Sequence, residues 1–411
     1  MPHTKENWRR QLWLIWTALF VMNAGFSLIM PFLPLYVKQM GAQGSQVELW
    51  TGLIFSANFI TAAFSLPFWG GVADRVGRRP MMIRAGIGMG IVVSLMGLAH
   101  QPWQLFLLRL LQGTTVGFMP AAVAYMTTIT PKEHTGYMLG MVQTANTVGT
   151  ILGPFLGGIL SSFIGYRPIF FLTGGACLAS AAIAFFFVRE KFTPVAQTKK
   201  TRSIDDFKAV AANSTLLAMM IVVLVQQFSV MNSEPIISLY LETLKVPVSL
   251  LEFLSGAIFS VVGVADVLAS PFLGRNGDRL GYKKVLMICL AGVAVMYTLQ
   301  GVAMNWWELL LFRFGQGCFV GGVLASANAM IALSSPSDFQ GRAFGVSSSA
   351  AQIGNFLGPL VGGALAAGYG FRAVFPLTGL LCVANLVWVW FKVPSMRGID
   401  LVEQPPEQAA D

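Results

Sequence analysis

An all-α membrane protein of twelve transmembrane helices, arranged as two pseudo-symmetric six-helix bundles, is the fold class the sequence predicts. Three observations predict it. Of 411 residues, 55% are hydrophobic and only 11% are charged, where an ordinary soluble domain carries roughly 25% charged residues. Apolar stretches of about 20 residues, enough to cross a bilayer core, recur along nearly the whole chain. The second half of the chain also repeats the first in register.

The apolar stretches predict spans at 11–37, 49–73, 81–99, 102–128, 136–163 and 168–188, then at 215–241, 251–273, 284–304, 306–333, 341–368 and 372–392. Leu12 to Val37 is too long for a signal peptide and lacks a small-residue cleavage site, so it is expected to remain as span one. The one long polar stretch between spans holds Lys199, Lys200, Arg202, Asp205, Asp206 and Lys208. It divides the chain into a bundle at 1–188, a linker at 189–214, a second bundle at 215–393 and a polar tail at 394–411.

The net charge of +9 reports orientation. Lys38, Arg167, Lys245 and Arg372 fall in loops of one side and Arg109 and Arg313 within spans, while most of the remaining Lys and Arg gather in segments assigned to the other side. Basic loops mark the cytoplasmic face, which places both termini there. With no basic domain present, nucleic acid is not an expected partner. Cys177, Cys289, Cys318 and Cys382 all lie in apolar spans, with no spacing that suggests a disulfide framework or a metal site.

The repeat is carried by rare residues. Pro31 and Pro235, Tyr36 and Tyr240, Pro67 and Pro271, Asp74 and Asp278, Arg109 and Arg313, and Gly113 and Gly317 are each 204 apart. After one inserted residue, Pro131 and Pro336, Pro154 and Pro359, and Arg167 and Arg372 are each 205 apart. Shared apolar composition would not align Pro, Arg and Asp in this way. Parallel repeats joined by a linker suit a transporter whose site lies between halves that rock about it.

The loop after span two reads Gly70-Gly71-Val72-Ala73-Asp74-Arg75-Val76-Gly77-Arg78-Arg79, and its copy contains Gly274, Asp278, Arg279 and Gly281. A two-residue, glycine-permitted turn with Asp and Arg lets span two reverse tightly into span three, with Asp74 free to pair with Arg75 or Arg78 or to accept from nearby N–H groups. The doubled loop resembles the G-x-x-x-D-R-x-G-R-R/K signature of the major facilitator superfamily, and the resemblance extends over essentially the whole chain. It implies that Gly70, Asp74, Arg75, Gly77, Arg78 and Arg79, with Asp278 and Arg279, form a conformational latch. Asp74 and Arg75 would then meet the start of span eleven near Asp338 and Arg342.

Span four carries Arg109, Gly113 and Gly117 at i, i+4 and i+8, expected on one helical face beside a neighbouring backbone. An arginine within a span costs about 2.5–3.5 kcal/mol on insertion scales and must face protein or a wet cavity. The stretch looks like the family motif whose arginine assists proton transfer; hydrogen bonding to carbonyls of span one is the structural alternative. Span five carries Gly149, Gly153, Pro154, Gly157 and Gly158, a smooth stripe for close packing with a proline that should bend the helix. This string resembles the antiporter motif of the twelve-span drug–proton antiporters. Its second copy, Gly354 to Gly363, extends the packing role to both halves.

Many exporters of that branch hold an acid in span one, where Asn23 and its neighbours are neutral here. Only Glu234 and Asp266 lie well inside the predicted spans. Asp266 precedes Gly274 by eight residues, roughly 12 Å along a helix, which sets it near mid-depth; Glu234, beside Pro235, belongs to the outer half. Each is a candidate proton carrier, or a structural hydrogen-bonding group or ion-pair partner for Arg313.

In the family, helices one, four, seven and ten line the cavity. The matching candidates are Met22, Asn23, Phe26, Met119, Tyr125, Gln226, Gln227, Phe228, Met231 and Asn328. Methionine and aromatic side chains adapt to varied apolar shapes, and the same residues also serve as ordinary packing. The expected activity is proton-coupled export of small hydrophobic compounds across the cytoplasmic membrane by a monomer. The proton gradient would supply the energy and no cofactor is implied. A sugar or amino-acid transporter of the same fold is the alternative. His3, His100 and His134 all lie outside the spans, which leaves no constellation for a membrane enzyme.

Overall fold

A computed structural model describes residues 7–190, 210, 212–336 and 339–393. Among them twelve helical segments are long and apolar enough to cross a membrane, and the chain is a multi-pass membrane protein. Large apolar side chains point outward along these helices, Phe64 at 76% and Phe163 at 81% exposure, as a hydrocarbon solvent allows.

The helices, in chain order, are α1 (Asn7–Leu28), α2 (Leu33–Gln39), α3 (Ser45–Val76), α4 (Arg78–Met96), α5 (Pro102–Thr114), α6 (Phe118–Ile129), α7 (Thr135–Ile164) and α8 (Tyr166–Phe187). The second repeat gives α9 (Ser214–Ser233), α10 (Ile237–Thr243), α11 (Val248–Leu280), α12 (Tyr282–Val302), α13 (Trp306–Ser334), α14 (Gln340–Tyr369) and α15 (Phe371–Lys392). Single glycines reverse the chain between successive spans: Gly77, Gly165, Gly281 and Gly370 all have positive φ, which side chains with a Cβ rarely adopt. These turns obey the offsets of 204 and 205 read from the sequence.

Three predicted spans, one, four and seven, differ from a single rod. Span one breaks between α1 and α2 around Pro31, and span seven between α9 and α10 around Pro235. Proline supplies no N–H to the helix ladder, so both breaks fall at the same place in the repeat.

The chain forms two compact units, Met1–Thr198 with Glu234–Ser260, and Lys199–Ser233 with Val261–Asp411. The boundary between Thr198 and Lys199 falls within the linker expected at 189–214, and Glu234–Ser260 packs into unit one. Ser238 donates to the carbonyl of Pro31, Lys38 pairs with Glu242 at 2.7 Å, Tyr166 donates to Glu252 at 3.0 Å and Ser260 to the Ile151 carbonyl at 2.6 Å. Within unit one, α1 packs on α7 and α8, α3 on α5 and α4 on α8; within unit two, α9 packs on α14 and α12 on α13 and α15.

Candidate functional site

Span four is where the backbone departs most from expectation. The predicted continuous helix is two helices, α5 and α6, separated at Thr115–Gly117. Gly117 has φ +120°, and Pro120 has no N–H for the carbonyl of Val116 four residues back. Arg109 and Gly113 therefore keep one face, while Gly117 leaves it. Gly113 sits where a Cβ would overlap the Thr61 hydroxyl and the Asn58 carbonyl, so α5 lies directly on α3.

Two of the carbonyls at the break, those of Thr114 and Val116, are taken up by side chains. Trp69 Nε1 donates to the Thr114 carbonyl at 2.8 Å. Arg84 on α4 donates through Nη2 to the Val116 carbonyl at 2.6 Å and through Nη1 to Thr114 at 3.4 Å. Its guanidinium lies 3.7 Å from the Trp69 ring centroid, a stacking that favours cations further when water is excluded.

A cavity of about 220 Å³ opens at the break. Thr115 to Pro120 make one wall, and Met22, Asn23 and Phe26 of α1, Asn58 of α3 and Met89 of α4 contribute the others. Of the residues predicted for a cavity, Met22, Asn23, Phe26 and Met119 come together here. Among the described residues, none that lines it is charged. A second cavity of about 230 Å³ shares Leu66, Gly117 and Pro120 with the first and reaches Asp74, Arg78 and Arg84.

Other candidates lie elsewhere. Tyr125 is buried with its hydroxyl on the Arg189 carbonyl at 3.2 Å and on Gln11 at 3.3 Å, away from the cavity, since the break uncouples its helical phase from that of Arg109. Gln226 is fully buried, while Gln227, Phe228 and Met231 lie along the α9 face that Gly354 and Gly358 of α14 approach. Asn328 is exposed on α13.

Arg109 is 2% exposed and donates to Gln112 Oε1 at 3.1 Å, rather than to carbonyls of span one. Its Nε and Nη2 have no partner among the described residues. Gln112 in turn donates to Met89 Sδ at 3.2 Å, one contact from the cavity. Asp266 is half-buried, accepts from Ser270 at 2.6 Å and packs where a Cβ on Gly321 would overlap it. Glu234 opens the short 3₁₀ turn Glu234–Ile236 and belongs to unit one.

At the turn after α3, Asp74 pairs with Arg78 at 3.1 Å. Glu190 accepts from the backbone N–H groups of Arg78 and Arg79 at 2.9 and 2.7 Å, a carboxylate at the positive end of α4. Arg79 reaches the Phe185 carbonyl at 2.6 Å. In the copy, Tyr282 donates to Asp278, while Arg75 and Arg279 are exposed and Gly70 lines the second cavity. Asp338, the expected partner of the latch, lies outside the described residues. In α7, Gly149, Gly153 and Gly157 face Asn23, Ser27 and Leu28 of α1 so closely that a Cβ would overlap them, and Gly158, beside Pro154, faces Gly256.

Arg84, Trp69, Asn58 and Glu190 escaped the sequence reading. Arg84 carried a signal: it follows Gly77 by seven residues, roughly 10 Å into a helix, too deep to be only a loop charge.

The sequence model of the Major Facilitator Superfamily matches residues 15–263 and 219–408. Over 393 residues the chain is 40% identical to the Multidrug resistance protein MdtG of Salmonella arizonae, covering 95% of this chain and 97% of the relative. The protein of that name from Salmonella typhimurium is 40% identical over 386 residues, 93% of this chain and 95% of its own. Among solved structures, the nucleoside transporter NupG superimposes with a TM-score of 0.79 at 15% identity, covering 92% and 98% of the two chains. A bacterial homolog of the human lysosomal transporter Spinster gives 0.74 at 16%, covering 95% and 97%.

Proposed function

The chain belongs to the major facilitator superfamily, and from that premise we propose that it exports small hydrophobic compounds in exchange for protons. The observation that carries this reading is the uncharged, largely apolar cavity at the break of span four, lined by methionine and phenylalanine with two carboxamides. Such a surface fits varied apolar shapes better than one dense polar metabolite. The multidrug-resistance name of the relatives at 40% identity supports the same substrate class.

The protein works by alternating access in the cytoplasmic membrane, with both termini on the cytoplasmic side, as a monomer. The loop of Gly70, Asp74, Arg75, Gly77, Arg78 and Arg79 and its copy at Asp278 and Arg279 latch one state. Asp266 and Glu234 take and release the proton, and the buried charge of Arg109 assists. The proton gradient is the energy source and no cofactor takes part.

Purified protein in liposomes with an imposed pH gradient tests this. Wild type is expected to move apolar fluorophores against their gradient. Asp266→Asn and Glu234→Gln are each expected to lower driven export at least about ten-fold, a cost of about 1.4 kcal/mol, while ligand binding changes less than about three-fold. Undiminished driven export by both single variants and by the double variant would remove these acids from coupling.

A further inference from the structure

Asn58 lines the cavity at 5% exposure. Among the described residues its side-chain amide makes no hydrogen bond, and Oδ1 is enclosed without a partner. A buried amide left unpaired is destabilising, yet its position is fixed: Gly113 packs against its own carbonyl, and Thr61, one turn on, donates to the Leu110 carbonyl at 2.8 Å. Two neighbouring side-chain donors are already engaged. Asn23 Nδ2 donates to the Leu19 carbonyl at 2.8 Å and Thr115 to the Gln112 carbonyl at 2.7 Å. Asn58 is thus a donor–acceptor pair without a partner among the described residues, set in an apolar wall.

We propose that Asn58 reads a neutral amide-type group, one carrying an N–H and a carbonyl, on an otherwise apolar ligand. The proposal rests on the transport reading above and narrows its substrate class. A carboxamide offers one acceptor and one donor side by side, the complement of an amide, lactam or urea. A cation would lose its hydration with no carboxylate among the lining residues to compensate it. The volume suits this class: an apolar cavity of about 150 Å³ holds benzene, so about 220 Å³ holds a ring with an amide arm.

The test is competition against radiolabelled benzanilide bound to purified full-length protein. The competitors are unlabelled benzanilide, trans-stilbene of the same shape without the amide, and the cation N-methyl-4-phenylpyridinium. Wild type is expected to prefer benzanilide over both by about ten-fold or more, equivalent to about 1.4 kcal/mol. Asn58→Leu should bring benzanilide and stilbene within about three-fold, and the isosteric Asn58→Asp should shift preference toward the cation by about ten-fold. The aspartate variant keeps the side-chain size and carries the test should the leucine variant fail to fold. Equal affinity for all three in wild type, or an unchanged preference in the variants, overturns the reading of Asn58 and leaves transport standing. Absence of binding by all three overturns both.

Discussion

Spans four and ten occupy the same place in the repeat and share the Arg-x-x-Gln-Gly string, Arg109 to Gly113 and Arg313 to Gly317, yet their backbones differ. Span ten is one helix, α13, from Trp306 to Ser334, and span four is two. No proline occurs between Trp306 and Ser334, so the ladder runs through. At the offset of 204, Trp69 and Arg84 become Leu273 and Ile288, which have nothing to offer a freed carbonyl. Unit two instead links Gln300, Gln316 and Tyr297 by bonds of 2.9 Å, where Gln112 donates to Met89 and accepts from Arg109. Duplication sets the number and order of spans. Where a duplicated helix opens depends on three unpaired substitutions, Pro120, Arg84 and Trp69, and the cavity follows them.

The sharpest way to break this comparison is Arg84→Ala. Losing two hydrogen bonds from a charged donor and a stacked cation should cost about 3 kcal/mol, read as a lower thermal midpoint in detergent, with efflux falling more than about ten-fold. Ile288→Ala, at an exposed site of unit two, should stay within about 0.5 kcal/mol. Equal losses at the two positions would mean that Arg84 is no special support.

Gly117→Ala comes next. A Cβ at φ +120° is strained and would meet Arg84 Nη2 at 3.3 Å, so about 1–3 kcal/mol is expected. Gly321, 204 residues on, lies in continuous helix; alanine there brings no backbone strain and instead displaces Asp266. Thermal midpoints should fall for Gly117→Ala, whereas Gly321→Ala should act first on driven export. A reversed order would contradict the assignment of the break.

Trp69→Phe sharpens the account with the smallest effect. It keeps an aromatic face for Arg84 but removes the N–H that donates to Thr114, a loss of about 1 kcal/mol in thermal stability. No change would show that Arg84 alone satisfies the break.

The spans, a tight glycine turn after span two and a close-packing stripe on α7 were legible because hydrophobic length, rare-residue offsets and glycine spacing each have a direct physical meaning; that the turn is a single glycine and that the stripe meets α1 were not. The hydrophobic length of span four suffices for one continuous crossing, and it masks the break although Gly117 and Pro120 stand three residues apart within it. Asn58 was not legible at all: one asparagine in an apolar span acquires meaning only when Gly113 brings α5 against it. Glu190 caps α4 through contacts more than a hundred residues apart, which no local pattern reveals.

Hydrogen–deuterium exchange of the purified protein, compared between residues 112–122 and 316–326, tests the central claim most directly. Helix starts leave their first N–H groups without helical acceptors, so amides from Val116 to Met119 should exchange at least about 100-fold faster than those of the matching stretch in α13. Equal protection of the two stretches would contradict a broken span four, and with it the cavity on which the functional reading stands.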